Sequence, residues 1–245
     1  MKTFHEVFPG KKPIIGVIHL KGDSTDEIRE RAKREIAFFV SGGLDGIIVE
    51  DYFGTYSHLV WTLDYLARQK PGLPYGVNCL NFDSLCFQLA RDYACDFLQV
   101  DSVVGHVKPR DEASLDAFFS LERPRTEALV LGGVRFKYQP VLSAHSLEED
   151  LVTARGRCDA VCVTGDGTGI QAPTEKIAHF KESLGDFPLI VCSGLNEDNC
   201  IEQLRIADGA VVGSFFKDTG KDTGDVDPAK IRRLMDKVRQ LRAER

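Results

Sequence analysis

The sequence lacks long apolar segments and any excess of positive charge, and both absences narrow the classes of protein to consider. No apolar run approaches the roughly 20 residues needed to span a bilayer, and the N-terminus lacks the apolar core of a signal peptide. We therefore expect a cytoplasmic protein without a membrane span. The formal net charge of −6 argues against a general nucleic-acid surface, while leaving room for a local positive pocket.

Closely spaced metal-binding and redox motifs are also missing. None of the seven cysteines has the two-residue spacing of a zinc knuckle or a thioredoxin motif, and no His-rich site of the transition-metal type is visible. Because a free cysteine packs like a small apolar side chain, we expect buried structural thiols. The length of 245 residues suits one α/β barrel, and we predict a single domain over residues 1–245.

What the sequence does contain is clearest in its last third. Three short apolar runs end abruptly in glycine and small polar residues: Ala160–Gly165, Leu189–Gly194 and Gly209–Lys217. Such runs are typical of buried parallel strands, and segments with helical spacing of apolar residues separate them. The glycines then lie at the carboxyl ends of the strands, which is where parallel α/β folds bind their ligands.

The same alternation extends through the rest of the chain. The other predicted strands are Pro13–His19, Gly46–Glu50, Tyr75–Asn78, Asp96–Asp101 and Val134–Gln139. The predicted helices are Glu27–Val40, Ser57–Arg68, Asp83–Tyr93, Arg123–Leu131, Leu147–Arg155, Thr174–Leu184, Glu197–Leu204 and Lys230–Leu241. We interpret Ser102–Leu121 as a long loop with one helical piece at most. Eight strand–helix units in a chain of this size favour an α/β fold, and specifically a closed (β/α)8 TIM barrel of parallel strands.

Polar residues occupy the predicted strand ends, which converge on one mouth in such a barrel. The candidate catalytic residues are His19, Glu50, Asn78, Asp101 and Lys137. Three of them also have a structural interpretation: a hydrogen-bonded histidine at His19, a solvated loop start at Glu50 and a turn cap at Asp101. Together they are more polar than packing requires. For Lys137 we favour a charge partner of the carboxylates over an anion ligand or a Schiff-base lysine, because nearby carboxylates keep a lysine pKa high.

Two loops near the C-terminus indicate an anion site. In β/α barrels, the loops after the last two strands often hold a phosphate with backbone N–H groups. Here those loops contain Ser193 and Gly194, and Gly213 and Ser214.

A third glycine-rich loop, Thr164–Gly169, supplies the further ligand candidates Gly165, Asp166 and Gly167. Its glycines would allow backbone N–H groups to approach an anion, and Asp166 could bind a hydroxyl or a metal. A flexible turn is the alternative. The spacing is not that of a dinucleotide-binding fingerprint.

No cofactor is required by these patterns. If a metal is used, Glu50, Asp51 and Asp101 offer hard oxygen ligands that suit Mg²⁺ or Mn²⁺.

Several segments are informative in combination, although none is specific alone. They are Pro13–Lys21, Gly43–Glu50, Gly76–Asn78, Asp159–Gly165, Cys192–Gly194, Asn199, Ala207–Lys217 and Val226–Pro228. With them the chain resembles the BtpA/SgcQ family over nearly its whole length. The resemblance implies a β/α barrel similar to the phosphate-binding barrels of ribulose-phosphate and tryptophan metabolism. Some members of this family are tied to photosystem I biogenesis, and others to sugar-uptake gene clusters.

The chain departs from the family pattern mainly on its acid–base side. Glu50 is followed by Asp-Tyr-Phe-Gly, where the family tends to have Asn-Phe-Gly-Asp. Asn81-Phe-Asp83 lacks the family's arginine, Lys137-Tyr-Gln139 lacks its histidine, and Asp101 replaces an asparagine. The phosphate-loop side keeps the pattern. These differences point to a changed substrate or chemistry.

The sequence is therefore compatible with two functions. The first is an enzyme that binds a small phosphorylated, sugar-like metabolite and catalyses isomerisation, epimerisation or retro-aldol cleavage. In it Glu50 or Asp101 acts as the base and Lys137 stabilises an oxyanion. The second is a non-catalytic assembly factor of the photosystem I biogenesis kind. The expected partners are the phosphorylated ligand and, as an open alternative, further copies of the chain in a homo-oligomer.

Overall fold

A computed structural model of the chain describes residues 2–80, 82–105 and 112–244. Its strands are β1 (Ile14–His19), β2 (Gly46–Glu50), β3 (Tyr75–Asn78), β4 (Phe97–Val100), β5 (Leu129–Gly133), β6 (Ala160–Val163), β7 (Leu189–Val191) and β8 (Gly209–Val212). Its helices are α1 (Phe4–Val7), α2 (Thr25–Gly42), α3 (Tyr56–Gln69), α4 (Asp83–Asp92), α5 (Glu112–Glu122), α6 (Leu147–Arg155), α7 (Thr174–Leu184), α8 (Cys200–Ile206) and α9 (Pro228–Ala243).

The strands form a closed parallel barrel in chain order, with β8 pairing with β1. This confirms the predicted TIM-barrel fold. The register sets the strand ends side by side: His19 lies opposite Glu50, Glu50 opposite Asn78, and Asn78 opposite Gln99. Since the strands are parallel, these four polar side chains belong to one level near the carboxyl-terminal mouth.

Two apolar layers support the barrel. Between sheet and helices lie residues such as Ile14, Val49 and Leu98, while Ile15, Ile48 and Phe97 belong to a second cluster within the barrel. Alternate strand residues therefore point inward and outward, as the pleat of a strand requires. The short helix α1 joins the inner cluster, and the Phe8 ring after it lies 5.4 Å from that of Phe97. The end of the barrel opposite the mouth is thereby filled with apolar side chains.

The fifth strand is where the sequence prediction was wrong. Arg123–Leu131 is not a helix: a short 3-10 turn, Arg123–Arg125, contains Pro124 and is followed by extended backbone at Thr126. The strand is Leu129–Gly133, an entirely buried run closed by two glycines. A proline removes the N–H that a continuing helix needs. A Cβ on Gly133 would overlap the Asp101 carbonyl, so a glycine is required where the β4 end crosses it.

Val134–Gln139, predicted as a strand, forms the loop after β5. Arg135 and Tyr138 have φ values of 47° and 63°, which a strand does not accommodate. Lys137 therefore lies in a loop at the mouth and not within a strand. The irregular stretch predicted at Ser102–Leu121 contains a full helix, α5, from Glu112 onward; residues 106–111 of that stretch lie outside the described residues.

Within the described ranges, no helix has both the length and the apolar character needed to cross a membrane.

Candidate functional site

A cavity of about 150 Å³ opens at the carboxyl ends of the strands. One side of it is polar and titratable, with His19, Glu50, Gln99 and Lys137. The other side is built from loop backbone after β7 and β8. Its lining there is Ser193, Gly194, Leu195, Asn196, Gly213, Ser214 and Phe215, joined by Thr168 and Gly169 from the loop after β6.

The acid–base side brings most of the predicted catalytic residues together. His19 Nε2 lies 3.6 Å from Glu50 Oε2. Asn78 donates a hydrogen bond to Asp101 Oδ1 at 3.3 Å and also interacts with the Glu50 carboxyl. Asp101 and Lys137 both act electrostatically on the Glu50 carboxyl, in opposite directions.

Glu50 has an unusual titration for a glutamate. Its side chain is only 13% exposed, and this burial raises its pKa from 4.5 to about 7. The Lys137 ammonium and the Asn78 amide work in the opposite direction, whereas Asp101 and Asp51 add to the rise. A carboxyl group with a pKa near 7 can both accept and release a proton at neutral pH.

His19 is held neutral. It is 5% exposed, and desolvation together with the positive charges of Lys217 and Lys137 lowers its pKa to about 3. The Asp222 backbone acts in the opposite direction and raises the His19 pKa. The His19 Nδ1 atom has no hydrogen-bond partner among the described residues. His19 is thus a neutral hydrogen-bonding group rather than a cation at physiological pH.

Lys137 is held by its backbone. Its N–H donates to the buried Thr164 Oγ1 at 2.7 Å, which ties the loop after β5 to the end of β6. Its ammonium lies 5.7 Å from the centre of the Phe136 ring. The side chain is half-buried and contributes positive charge to the cavity.

The loop after β8 forms a short 3-10 helix, Ser214–Phe216, directly at the cavity. The N–H groups of Phe216 and Lys217 are bonded to the carbonyls of Gly213 and Ser214. Those of Ser214 and Phe215 stand at the start of the turn, where helical N–H groups have no partner within the helix. Gly213 is close to the histidine, since a Cβ there would lie 3.2 Å from His19 Cε1.

The loop after β7 presents a second backbone edge. Gly194 has a φ of 67°, and its carbonyl accepts hydrogen bonds from the side chains of Asn196 and Asn199. Because N–H and C=O of one trans peptide point in opposite directions, the Leu195 N–H faces away from this asparagine pair. Gly194 and Leu195 both line the cavity opposite Glu50.

The third glycine-rich loop serves mainly to build this wall. Ser193 Oγ accepts the Gly165 N–H at 2.7 Å and donates to the Ile170 carbonyl at 2.8 Å. The Gly165 N–H and the Ser193 hydroxyl, predicted as ligand groups, are thus engaged within the protein. A Cβ on Gly194 would overlap the backbone of Gln171, so the glycine permits the two loops to cross.

Asp166 and Gly167 lie beside the cavity rather than in it. Asp166 is exposed and belongs to a neighbouring groove with Lys176. Gly167 packs against Tyr138, whose hydroxyl accepts the Thr168 N–H at 2.8 Å.

A buried ion pair behind the cavity was not identified from the sequence. Lys217 Nζ lies 2.8 Å from Glu35 Oε1, and the two side chains are 1% and 3% exposed. Lys217 follows the 3-10 turn, while Glu35 lies on α2. The periodic polar and apolar positions of α2 alone give no signal that Glu35 faces inward. Lys217, at the end of an apolar run, was the available clue.

The proposed metal ligands do not form a cluster. Asp51 Oδ1 accepts the Leu80 N–H at 2.9 Å, which closes the loop after β2. Among residues 2–80, 82–105 and 112–244, no group of three or more His, Cys, Asp or Glu side chains is arranged to hold an ion. A Mg²⁺ or Mn²⁺ ion held by Glu50, Asp51 and Asp101 stays a prediction.

The fold is shared with known barrels at low sequence identity. The Thermoplasma acidophilum (S)-3-O-geranylgeranylglyceryl phosphate synthase, solved in complex with sn-glycerol-1-phosphate, aligns with a TM-score of 0.64 at 12% identity, over 98% of this chain and 100% of the enzyme. Thiamine phosphate pyrophosphorylase from Pyrococcus furiosus gives 0.63 at 12% identity, over 94% and 96%. These likenesses establish the fold alone.

Sequence relatives extend over the whole chain. An uncharacterised protein of Thermococcus kodakarensis is 30% identical over 95% of this chain and 97% of its own. The photosystem I biogenesis protein BtpA of Synechocystis is 26% identical over 92% and 88%, and the putative sgc region protein SgcQ of Escherichia coli 25% over 99% and 100%. The BtpA family model matches residues 10–240. The chain belongs to the BtpA family.

Proposed function

We propose that this protein is an enzyme that binds a small phosphorylated, sugar-like metabolite in the mouth cavity and moves a proton on it. The observation that carries the proposal is the position of Glu50. A carboxyl group with a pKa of about 7 stands beside a lysine, across a small cavity from two backbone edges that offer N–H groups. Strongly shifted pKa values in a cleft are typical of catalytic groups.

The phosphate would bind on the loop side. The N–H groups of Ser214 and Phe215 at the start of the 3-10 turn, together with that of Leu195, supply donors for its oxygens. No charged side chain is required for this contact, since N–H groups at the start of a turn favour an anion by themselves.

The chemistry would take place on the opposite side. Glu50 removes a proton from the carbon next to a carbonyl, the electron pair moves onto the carbonyl oxygen, and Lys137 stabilises the negative charge that develops there. Return of the proton to the former carbonyl carbon gives an isomer when the hydroxyl proton also moves from one enediolate oxygen to the other. Donation of a proton by a second group to the opposite face of the original carbon gives an epimer. In a retro-aldol cleavage, Glu50 instead takes the hydroxyl proton and the carbon–carbon bond supplies the electron pair.

A thermal-shift screen tests the proposal. Inorganic phosphate, sulfate and a panel of sugar phosphates are compared, with and without Mg²⁺, because a ligand that binds only the folded state raises Tm. We expect a rise with phosphate that is larger for one sugar phosphate and absent in Gly213→Asp, where a carboxylate replaces the open backbone. Turnover of that sugar phosphate should rise between pH 6 and pH 8 as Glu50 loses its proton, and Glu50→Gln should abolish it. Absence of any anion-dependent shift would contradict the proposal.

A second candidate is favoured by a separate observation. Exposed apolar side chains surround the mouth, on the loops after four different strands: Phe53, Tyr56, Phe82, Tyr138, Val141, Leu142 and Ile170. Phe82 and Tyr138 are 62% and 70% exposed. Such a rim suits a protein partner, as for an assembly factor of the kind that the Synechocystis relative is named for. If this second candidate is right, serine substitutions at Phe82 and Tyr138 should abolish binding of the protein partner. Loss of anion binding should leave that complex unchanged.

A further inference from the structure

Gln99 occupies the inner wall of the mouth cavity. It lies on β4, two residues after Phe97, and so shares the inward orientation of that ring. Its side chain is 3% exposed and lines the cavity together with His19 and Glu50. Register places it opposite Asn78, whose amide is engaged with Asp101.

The Gln99 amide oxygen has no hydrogen-bond partner in the part of the chain that the structure describes: Oε1 is buried without a donor. A buried acceptor left without a donor is unfavourable by about 1–3 kcal/mol. Gln203 also has a buried, unpaired Oε1, but its Nε2 donates to the Ala172 carbonyl at 3.0 Å and fixes a loop.

The surroundings of Gln99 restrict which ligand group can form a hydrogen bond with its amide. His19 beside it is neutral, and the carboxylates of Glu50 and Asp101 disfavour a second anionic group deep in the cavity. A hydroxyl group is uncharged, and it both donates and accepts hydrogen bonds. It therefore matches the amide at either end, which a carboxylate or an ammonium does not.

We propose that Gln99 is a specificity-determining residue that recognises a hydroxyl group on the deepest part of the substrate. This inference rests on the proposed function and narrows it. The substrate class becomes a phosphate ester of a polyol or sugar that keeps this hydroxyl, with the phosphate at the turn of Ser214 and the hydroxylated end against Gln99.

Matched pairs of ligands test the inference by calorimetry. Ribose 5-phosphate is compared with 2-deoxyribose 5-phosphate, glucose 6-phosphate with 2-deoxyglucose 6-phosphate, and inorganic phosphate serves as the reference. For at least one pair, the wild type should bind the hydroxylated member about tenfold more tightly, as one well-placed neutral hydrogen bond allows. Gln99→Met, which keeps the length of the side chain, should bind both members equally and leave the Kd for inorganic phosphate unchanged. Gln99→Leu provides a second apolar variant if Gln99→Met folds poorly.

The outcomes separate the two proposals. If the wild type binds phosphate compounds but Gln99→Met keeps the same preference for the hydroxylated member, Gln99 does not recognise the hydroxyl and only this inference is wrong. The same conclusion holds if neither pair is discriminated. If no phosphate compound binds the wild type, inorganic phosphate included, the proposed function fails and this inference fails with it.

Discussion

Two groups of buried charges lie within this barrel, and they are organised differently. Behind the turn at the end of β8, Lys217 and Glu35 form a direct ion pair at 2.8 Å that is sealed from solvent. At the mouth, Glu50 is surrounded by His19, Lys137 and Gln99, but its distance to His19 Nε2 is 3.6 Å, beyond a hydrogen bond. Burial raises the Glu50 pKa, and the Gln99 amide oxygen has no partner among the described residues.

The difference separates a structural role from a chemical one. Removing one partner of a buried ion pair leaves the other charge uncompensated, so the pair holds its two elements together. Glu35 Oε2 makes no further hydrogen bond, but the carboxylate charge directly faces Lys217. In the mouth group, His19 Nδ1 and Gln99 Oε1 have no partner among the described residues, and the group faces a cavity. Polar groups left in this state reduce stability, and at functional sites the ligand supplies the missing contacts. We therefore infer that Lys217 and Glu35 hold the turn, whereas the mouth residues are the ones that we propose to contact a ligand.

The largest expected effect comes from removing one member of the sealed pair. Lys217→Met leaves the Glu35 carboxylate buried without its partner, and we expect the free energy of unfolding to fall by about 3–5 kcal/mol. The double variant Lys217→Met with Glu35→Leu should regain most of this loss, because no buried charge remains. Urea denaturation measures both. A single variant as stable as the wild type would show that the pair is not structural.

Gly194→Ala is the next most disruptive change. Its φ of 67° disfavours an L side chain, and its Cβ would overlap the Gln171 backbone. We expect a loss of about 3 kcal/mol, combining conformational strain with displacement of the crossing loop. Gly220→Ala is the matched control: it has a φ of 70° but nothing within 4 Å of its Cβ. It should cost about 1 kcal/mol. Equal losses of unfolding free energy in the two variants would argue against close packing of the Gly194 loop on the Gln171 backbone.

Glu50→Gln should stabilise the protein in a pH-dependent manner. Because the folded pKa of Glu50 is raised from 4.5 to about 7, the folded state holds this proton more tightly than the unfolded chain. The wild type is therefore most stable, as far as Glu50 is concerned, below pH 4.5, and it loses stability as the pH rises to 7. The uncharged variant avoids this loss. Denaturation at pH 4.5 and pH 8 should give a difference near zero and one of about 3 kcal/mol; a constant difference would contradict the raised pKa.

The smallest expected effect on stability belongs to Gln99→Met. It removes a buried amide oxygen without a donor and approximately keeps the side-chain volume, so we expect a gain of about 1 kcal/mol in the free energy of unfolding. Gln203→Met, which breaks the bond to the Ala172 carbonyl, should instead be destabilising. If Gln99→Met destabilises to the same extent, the amide has a structural partner and the contrast between the two glutamines disappears.

Most of the barrel could be predicted from the sequence because its strands carry a local signal. Apolar runs closed by glycine or a polar residue correctly marked β2 and β3, and the helix α7 was delimited by its apolar spacing. The failure at β5 has a local cause as well. Leu129–Gly133 carries the same signal. The composition of Arg123–Leu131, which overlaps its first three residues, favoured a helix, and the mixed polar and apolar residues of Val134–Gln139 resembled a strand.

The site was harder to predict from the sequence, because the roles of its residues depend on contacts between positions far apart in the chain. The predicted mouth residues His19, Glu50, Asn78 and Asp101 are indeed adjacent, since parallel register requires it. The engagement of the Gly165 N–H by Ser193, however, joins positions 28 residues apart, and Glu35 meets Lys217 across 182 residues. Spacing along the chain reveals neither contact. Asp166, predicted at the site, points to a separate groove for the same reason.

We propose above that the backbone edges after β7 and β8 bind an anion. A ¹H–¹⁵N correlation spectrum recorded during titration with inorganic phosphate observes these N–H groups individually. We expect the amide signals of Leu195, Ser214 and Phe215 to move first and to saturate together, and not to move in Gly213→Asp. Shifts confined to surface lysines, or no shifts at all, would contradict it.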